Sequence, residues 1–168
     1  MTTVPFSKYA STIAGAWKLI SWEMLPIDPT STTVFHKPHG DNPFGRVVIS
    51  QTGYVSAILI APSALAPLEA GTGEWKDATD AEVLRIGRSL TSYGGPMTLS
   101  EREDGGLLWK TRVEIAHNPA WIGGDQIRLA DHSTEDGRDF LTLQPVHEYT
   151  LKDGTKARAV LKWVKVGL

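Results

Sequence analysis

The chain has no cysteine among its 168 residues. That absence removes disulfides, thiolate metal sites, iron–sulfur clusters and a cysteine nucleophile from consideration. Charge of one sign is lacking too: 17 Lys and Arg against 19 Asp and Glu leave a net charge of −2, with the cations scattered. Neither a basic nucleic-acid stripe nor a membrane-binding face is therefore expected. Long hydrophobic runs are missing, and the longest, YVSAILIAP, falls far short of the roughly 20 residues that span a bilayer. The opening stretch MTTVPFSKYASTIAG carries neither a basic leader nor a continuous apolar segment, so a cytoplasmic location is expected. Glycine clusters such as GTGEW lack the strand-to-helix context of a phosphate loop, and no G-x-S-x-G elbow occurs. Nucleotide binding and serine hydrolysis are both disfavoured on those grounds.

What the chain does contain is an ordinary globular balance, 41% hydrophobic and 21% charged, and enough length for one domain over residues 1–168 with a substantial core. Apolar segments punctuated by turn signals predict an all-β chain, with strands at 15–25, 44–51, 54–61, 93–101, 107–117, 125–132, 139–145 and 157–166. The turns QTGY, EDGG, IGGD, EDGR and KDGT put glycine where a hairpin needs positive φ. A sandwich and an eight-or-more-stranded antiparallel up-and-down barrel both satisfy this pattern. Closure removes exposed edges, and eight strands suit a barrel just wide enough for one small ligand.

Two segments interrupt the meander. Residues 26–43, PIDPTSTTVFHKPHGDNP, hold four prolines and no periodicity; they form a long loop, either a lid over a site or a surface excursion. Residues 77–90 read as a helix, with Thr79 and Glu82 as a capping box. A helical turn is also expected before the first strand, with Pro5 near its first position.

Candidate site residues follow from strand alternation. In GAWKLISWEM, Trp17, Leu19, Ser21 and Glu23 share one face, while Lys18, Ile20, Trp22 and Met24 share the other. If Trp17 plugs the core, Glu23 looks into the interior about 20 Å further along, at ~3.3 Å per residue. There it would act as a general base or pair with an interior Arg. The other reading is a bend or bulge after Ser21 that leaves Glu23 solvated at the rim; an outward Trp22 would suit a homodimer patch. In DQIRLADH, Gln126, Arg128, Ala130 and His132 share a face. Either that face lines the lumen, where Arg128 clamps a carboxylate or enolate and His132 moves a proton, or Ile127 and Leu129 point inward and Arg128 is external.

Tyr54, with Ser56 on the same face, is a candidate hydrogen-bond donor to a ligand carbonyl or a packing tyrosine, and Tyr93 has the same two readings. The two glycines after Tyr93 imply a close approach to the backbone. Arg112 and Glu114 form a surface pair worth a fraction of a kcal/mol, or extend a polar lining. His36 and His39, in HKPH, suit ligand gating from the loop; with Pro38 opposing a helical turn and no third ligand at recognisable spacing, no metal is expected. His117 and His147 are expected at the rim, and Trp121 is a candidate ligand contact. No cofactor is implied.

The segments GAWKLISWE, PFGRVVISQTGYVSAILI, SYGGPMTL, VEIAHNPAWIGGDQIRL, LTLQP and AVLKWVKV, in this order, resemble the lipocalin-like domain family of compact fungal and bacterial proteins, from about Gly15 to Val166. The resemblance implies an antiparallel barrel around a ligand cavity, its floor closed by Trp17 of the Gly-x-Trp strand, with an interior Arg commonly found at the place of Arg128. It also implies carriage, isomerisation or cyclisation of hydrophobic natural-product intermediates. The chain departs from the family where many relatives place a His before the Pro-x-Trp turn: Arg112 and Glu114 stand on that strand, with His117 just before NPAW, and no acid–base role is carried over. The expectation is thus a cofactor-free isomerase or cyclase of secondary metabolism. Glu23, Arg128, Tyr54 and His132 would carry the chemistry; Ser21, Ser56, Tyr93, Glu114, His36 and Trp121 would contact the ligand. The alternative is a non-catalytic carrier.

Overall fold

The structure is a computed structural model that describes residues 2–69 and 73–167. In chain order its strands are β1 (Thr2–Val4), β2 (Gly15–Pro26), β3 (Phe44–Ile49), β4 (Tyr54–Ile60), β5 (Thr91–Glu101), β6 (Leu107–Arg112), β7 (Ile115–Ala116), β8 (Asp125–Glu135), β9 (Arg138–Pro145), β10 (Tyr149–Thr150) and β11 (Lys156–Lys165). Eight of them pair antiparallel in the ring β2-β3-β4-β5-β6-β8-β9-β11, and β11 returns to β2 to close the barrel. The three short strands extend it, β1 and β7 on β5 and β10 on β11.

Turn chemistry sets the hairpins. Gly53, Gly105, Gly123, Gly137 and Gly154, one in each expected turn, all have positive φ. At the β8–β9 hairpin both Asp136 (φ 50°) and Gly137 (φ 71°) are positive between the paired Glu135 and Arg138, the signature of a two-residue type I′ turn whose twist matches its strands. The expected helix is α2 (Asp80–Ser89): the Thr79 hydroxyl accepts from the Glu82 N–H, and the Glu82 carboxylate accepts from the Thr79 N–H. The N-terminal turn expected near Pro5 is a 3-10 turn over Phe6–Lys8, followed by the short helix α1 (Ala10–Ile13). None of the described helices is long and apolar enough to cross a membrane. Gly95 explains the close approach expected after Tyr93, since a Cβ there would sit 1.8 Å from the Arg112 carbonyl oxygen.

One end of the barrel is sealed. Ile13, Trp17, Leu19, Leu141 and Trp163 are fully buried there. The Trp17 indole N–H donates to the Ile13 carbonyl at 2.9 Å, and the Lys165 ammonium lies 5.4 Å over the Trp17 ring while donating to the Thr12 carbonyl at 2.7 Å. The floor is therefore packed, and the Trp17 indole N–H and the Lys165 ammonium are bonded to carbonyls of α1.

Strand β2 does not alternate uniformly. Against β11, Trp163 faces Leu19 but Lys162 faces Ser21, so Ile20 has no partner. One extra residue on one strand is a β-bulge, and it inverts the facing of everything beyond it. Below the bulge Trp17 and Leu19 point inward; above it Trp22 and Met24 do, opposite the inward Leu161 and Ala159. Ser21 and Glu23 are turned to the outer face, opposite Lys162 and Val160. The lumenal reading of Glu23 is thereby replaced by the bulged one, and Trp22 leaves the surface on which a dimer patch was envisaged.

Residues 26–43 form a strap tied to the barrel's outside. Arg158 donates to the carbonyls of Pro26, Pro29 and Ser31, and Met24 bridges His36 through the backbone. Further along, His39 is buried with its ring 4.5 Å from that of Trp22, edge to face.

Candidate functional site

The other end of the barrel is hollow. A cavity of about 270 Å³ lies among inward residues of β2, β3, β4, β5, β6, β8, β9, β10 and β11, just below the ~300–1,000 Å³ usual for small-molecule sites. Its wall is rich in indole: Trp22, Trp109, Trp121 and Trp163 all contribute. Trp121 is brought there by a 3-10 turn over Pro119–Trp121 that Asn118 caps from its side chain, and it meets Tyr93 (6.2 Å) and His117 (5.1 Å) edge to face. His117 in turn is anchored by the Ser92 N–H, which donates to its Nδ1 at 3.0 Å.

Polar groups concentrate on one side. Alternation on β8 carries Gln126 and Arg128 inward, and Arg128 donates to the Gln126 side-chain oxygen and the Ile127 carbonyl, both at 2.9 Å. No carboxylate reaches Arg128 within ion-pair distance among the described residues. The cavity thus holds a half-buried cation without a counter-ion, a costly state unless something of opposite charge joins it. His147 and Tyr149 stand beside it with ring centroids 4.5 Å apart. Burial, and then the Arg128 charge, push the His147 pKa down, so its imidazole is neutral near pH 7; burial holds the Tyr149 phenol above its ordinary value and therefore protonated. One site accordingly presents a fixed cation, a proton acceptor and a proton donor on a mostly aromatic wall.

Of the residues singled out from sequence, Arg128, Tyr93 and Trp121 meet in this cavity, and His147 stands at its mouth. The others lie elsewhere. Ser21 and Glu23 are external because of the bulge. Tyr54 and Ser56 are external because Val55, Ala57 and Leu59 take the inward phase of β4; the Tyr54 hydroxyl donates to Glu114 at 2.9 Å across the surface. Arg112 pairs with Asp125 rather than with Glu114. His36 is exposed on the strap. His132 shares the face of Arg128, but four residues along β8 place it about 13 Å away at ~3.3 Å per residue, opposite Leu141 at the sealed end, where its Nε2 lies 3.2 Å from Asp139. Trp22 and Tyr149 went unrecognised. The bulge concealed Trp22, and Tyr149 lies outside every periodic segment. Among the described residues no group of three His, Asp or Glu side chains is placed to hold a metal ion.

A closed antiparallel barrel with one sealed end and an aromatic cavity at the other defines a class of small-molecule-binding proteins. The match to the lipocalin-like domain model over residues 14–166 covers nearly the whole chain, and the chain belongs to that family. No curated protein and no solved structure matches it. The family's fold suggests binding of a small hydrophobic molecule.

Proposed function

We propose that the protein is a cofactor-free isomerase or cyclase for a hydrophobic small molecule that carries a carbonyl with an acidic neighbouring C–H. The observation that carries this reading is the unpaired Arg128 guanidinium beside a neutral His147 in an aromatic cavity. The ligand's apolar body packs on the indoles and its carbonyl oxygen points at Arg128. His147 takes the proton from the adjacent carbon, and the electron pair moves onto the oxygen, whose developing charge meets the guanidinium. Return of the proton to a different carbon of a conjugated enolate, with Tyr149 hydrogen-bonding the oxygen, gives an isomer; attack of the enolate carbon on a second carbonyl in the same molecule, whose C=O electron pair moves to oxygen and takes the proton from His147, gives a ring. Holding a flexible substrate folded in a small dry cavity lowers the barrier further.

The four indoles also favour a second reading, a carrier that holds the same molecule unchanged. Deuterium exchange separates the two. In D₂O, hydrophobic 1,3-dicarbonyl compounds bound by the wild-type chain are expected to exchange the proton between their carbonyls faster than in buffer, and His147→Gln is expected to remove the acceleration while retaining binding. Saturable binding with no accelerated exchange would leave the carrier and remove the enzyme.

A further inference from the structure

Four buried polar side-chain atoms among the described residues have no hydrogen-bond partner in the protein: Trp22 Nε1, His39 Nδ1, Arg85 Nε and Trp163 Nε1. Folded proteins leave few such atoms, and each one calls for an explanation. Three of the four, those of Trp22, His39 and Arg85, belong to residues lining a single groove beside the open end of the barrel, between the strap at Pro38–His39, the 3-10 turn Pro62–Leu65 and the C-terminal half of α2. Arg88, three residues after Arg85 and so on the same helix face, is exposed on the same groove and forms no ion pair among the described residues. No Asp or Glu is among the lining residues.

The imbalance has a definite sign. Indole and guanidinium nitrogens donate and never accept, and the groove offers them hydroxyls of Ser63, Ser89 and Thr91 but no carboxylate; the Glu82 charge acts on Arg85 from outside the groove. His39 adds a buried imbalance of its own: only 8% exposed, it touches the Trp22 ring and has an unbonded Nδ1. One of Arg85's terminal nitrogens is spent on the Ala66 carbonyl at 2.9 Å, which orients the guanidinium and leaves its Nε unbonded. A phosphate group, with oxygens on several sides of one centre, can meet two guanidiniums, an indole and an imidazole that approach from the helix, the barrel and the strap.

We propose that this groove is a binding site for a phosphate group, inorganic or as an ester, distinct from the lumenal cavity. Arg88 and Arg85 supply the charge, and the Trp22 indole and the His39 imidazole close over it. Trp22 and Thr91 border both the groove and the cavity, so the two sites share a wall, and an anion bound outside fixes the indole that lines the inside.

Calorimetric titration of the full chain tests this, using sodium phosphate and phenyl phosphate against sodium chloride at equal ionic strength. Saturable one-site binding is expected for phosphate and not for chloride. Arg88→Ala should weaken it at least tenfold and Arg88→Glu should abolish it; neither substitution removes an internal hydrogen bond, so both should fold. Arg128→Ala, in the cavity, should leave phosphate affinity unchanged. Tighter binding of phenyl phosphate than of phosphate identifies an ester as the ligand; equal or weaker binding identifies the free ion. Absence of saturable binding, an equal response to chloride, or undiminished affinity in Arg88→Glu would overturn the proposal.

Discussion

The two ends of this barrel use tryptophan in opposite ways. At the sealed end Trp17 is wholly buried, its N–H bonded to the Ile13 carbonyl and its ring covered by the Lys165 ammonium. At the open end Trp22 is half-buried between the cavity and the strap, with an N–H that nothing among the described residues accepts. Four residues separate them on one strand, and the bulge at Ile20 is among them. The comparison shows how a single strand can serve both packing and binding: the regular half fills the core, and the bulged half re-aims its side chains toward a hollow. Trp17 is bonded where the fold is held together, and Trp22 keeps an unsatisfied N–H where the barrel opens.

The sharpest way to break this contrast is to truncate the floor. Trp17→Ala should cost about 3–5 kcal/mol, as large core truncations do, read as a lower urea midpoint with little change in slope. The same change in midpoint should not appear for Arg128→Ala, which relieves an unpaired half-buried cation. That substitution should instead weaken binding of a hydrophobic acid about 10- to 100-fold, the loss of a charged hydrogen bond worth ~1.5–3 kcal/mol, measured by calorimetry. A smaller effect should come from acid. Burial lowers the His39 and His147 pKa values, so the unfolded chain takes up these protons more readily than the folded one. Their contribution to stability is complete above the ordinary imidazole value of about 6.5 and is lost as pH falls through the lower folded-state values. Between pH 7 and 5 the carboxylates keep their charge, so a falling melting temperature in that window, flattened in His39→Gln, tests the assignment. Least of all is expected from Glu23→Gln: an external carboxylate opposite Val160 should leave stability within ±0.5 kcal/mol and turnover within about twofold. A collapse of activity in that variant would place Glu23 in the site after all.

Much of the fold was legible because its determinants are local. Five glycines needed positive φ in short turns, and Thr79 with Glu82 stood at the spacing of a capping box, so hairpins and helix could be read without knowing what they pack against. The site was legible only where alternation ran unbroken. On β8 it carried Gln126 and Arg128 inward together, and the wall residues Tyr93 and Trp121 came with the segments that surround them. On β2 it failed, because the Ile20 bulge has no glycine or proline to announce it and arises from the pairing with Trp163 and Lys162. On β4 both faces carry apolar residues, Ile58 outside and Leu59 inside, so the pattern alone left the facing of Tyr54 and Ser56 undecided. His132 shows a further limit: sharing a face with Arg128 says nothing of depth, and four residues sufficed to carry it to the sealed end. Tyr149 enters the cavity from a two-residue strand, too short to show a period.

The most direct test of a binding end built around Arg128 is native mass spectrometry of the wild-type chain and Arg128→Ala, each equilibrated with the same panel of hydrophobic compounds in acid and methyl-ester forms. The wild type should form a one-to-one complex that favours the acid, and the variant should lose that preference. Equal retention of acid and ester by both chains would contradict it.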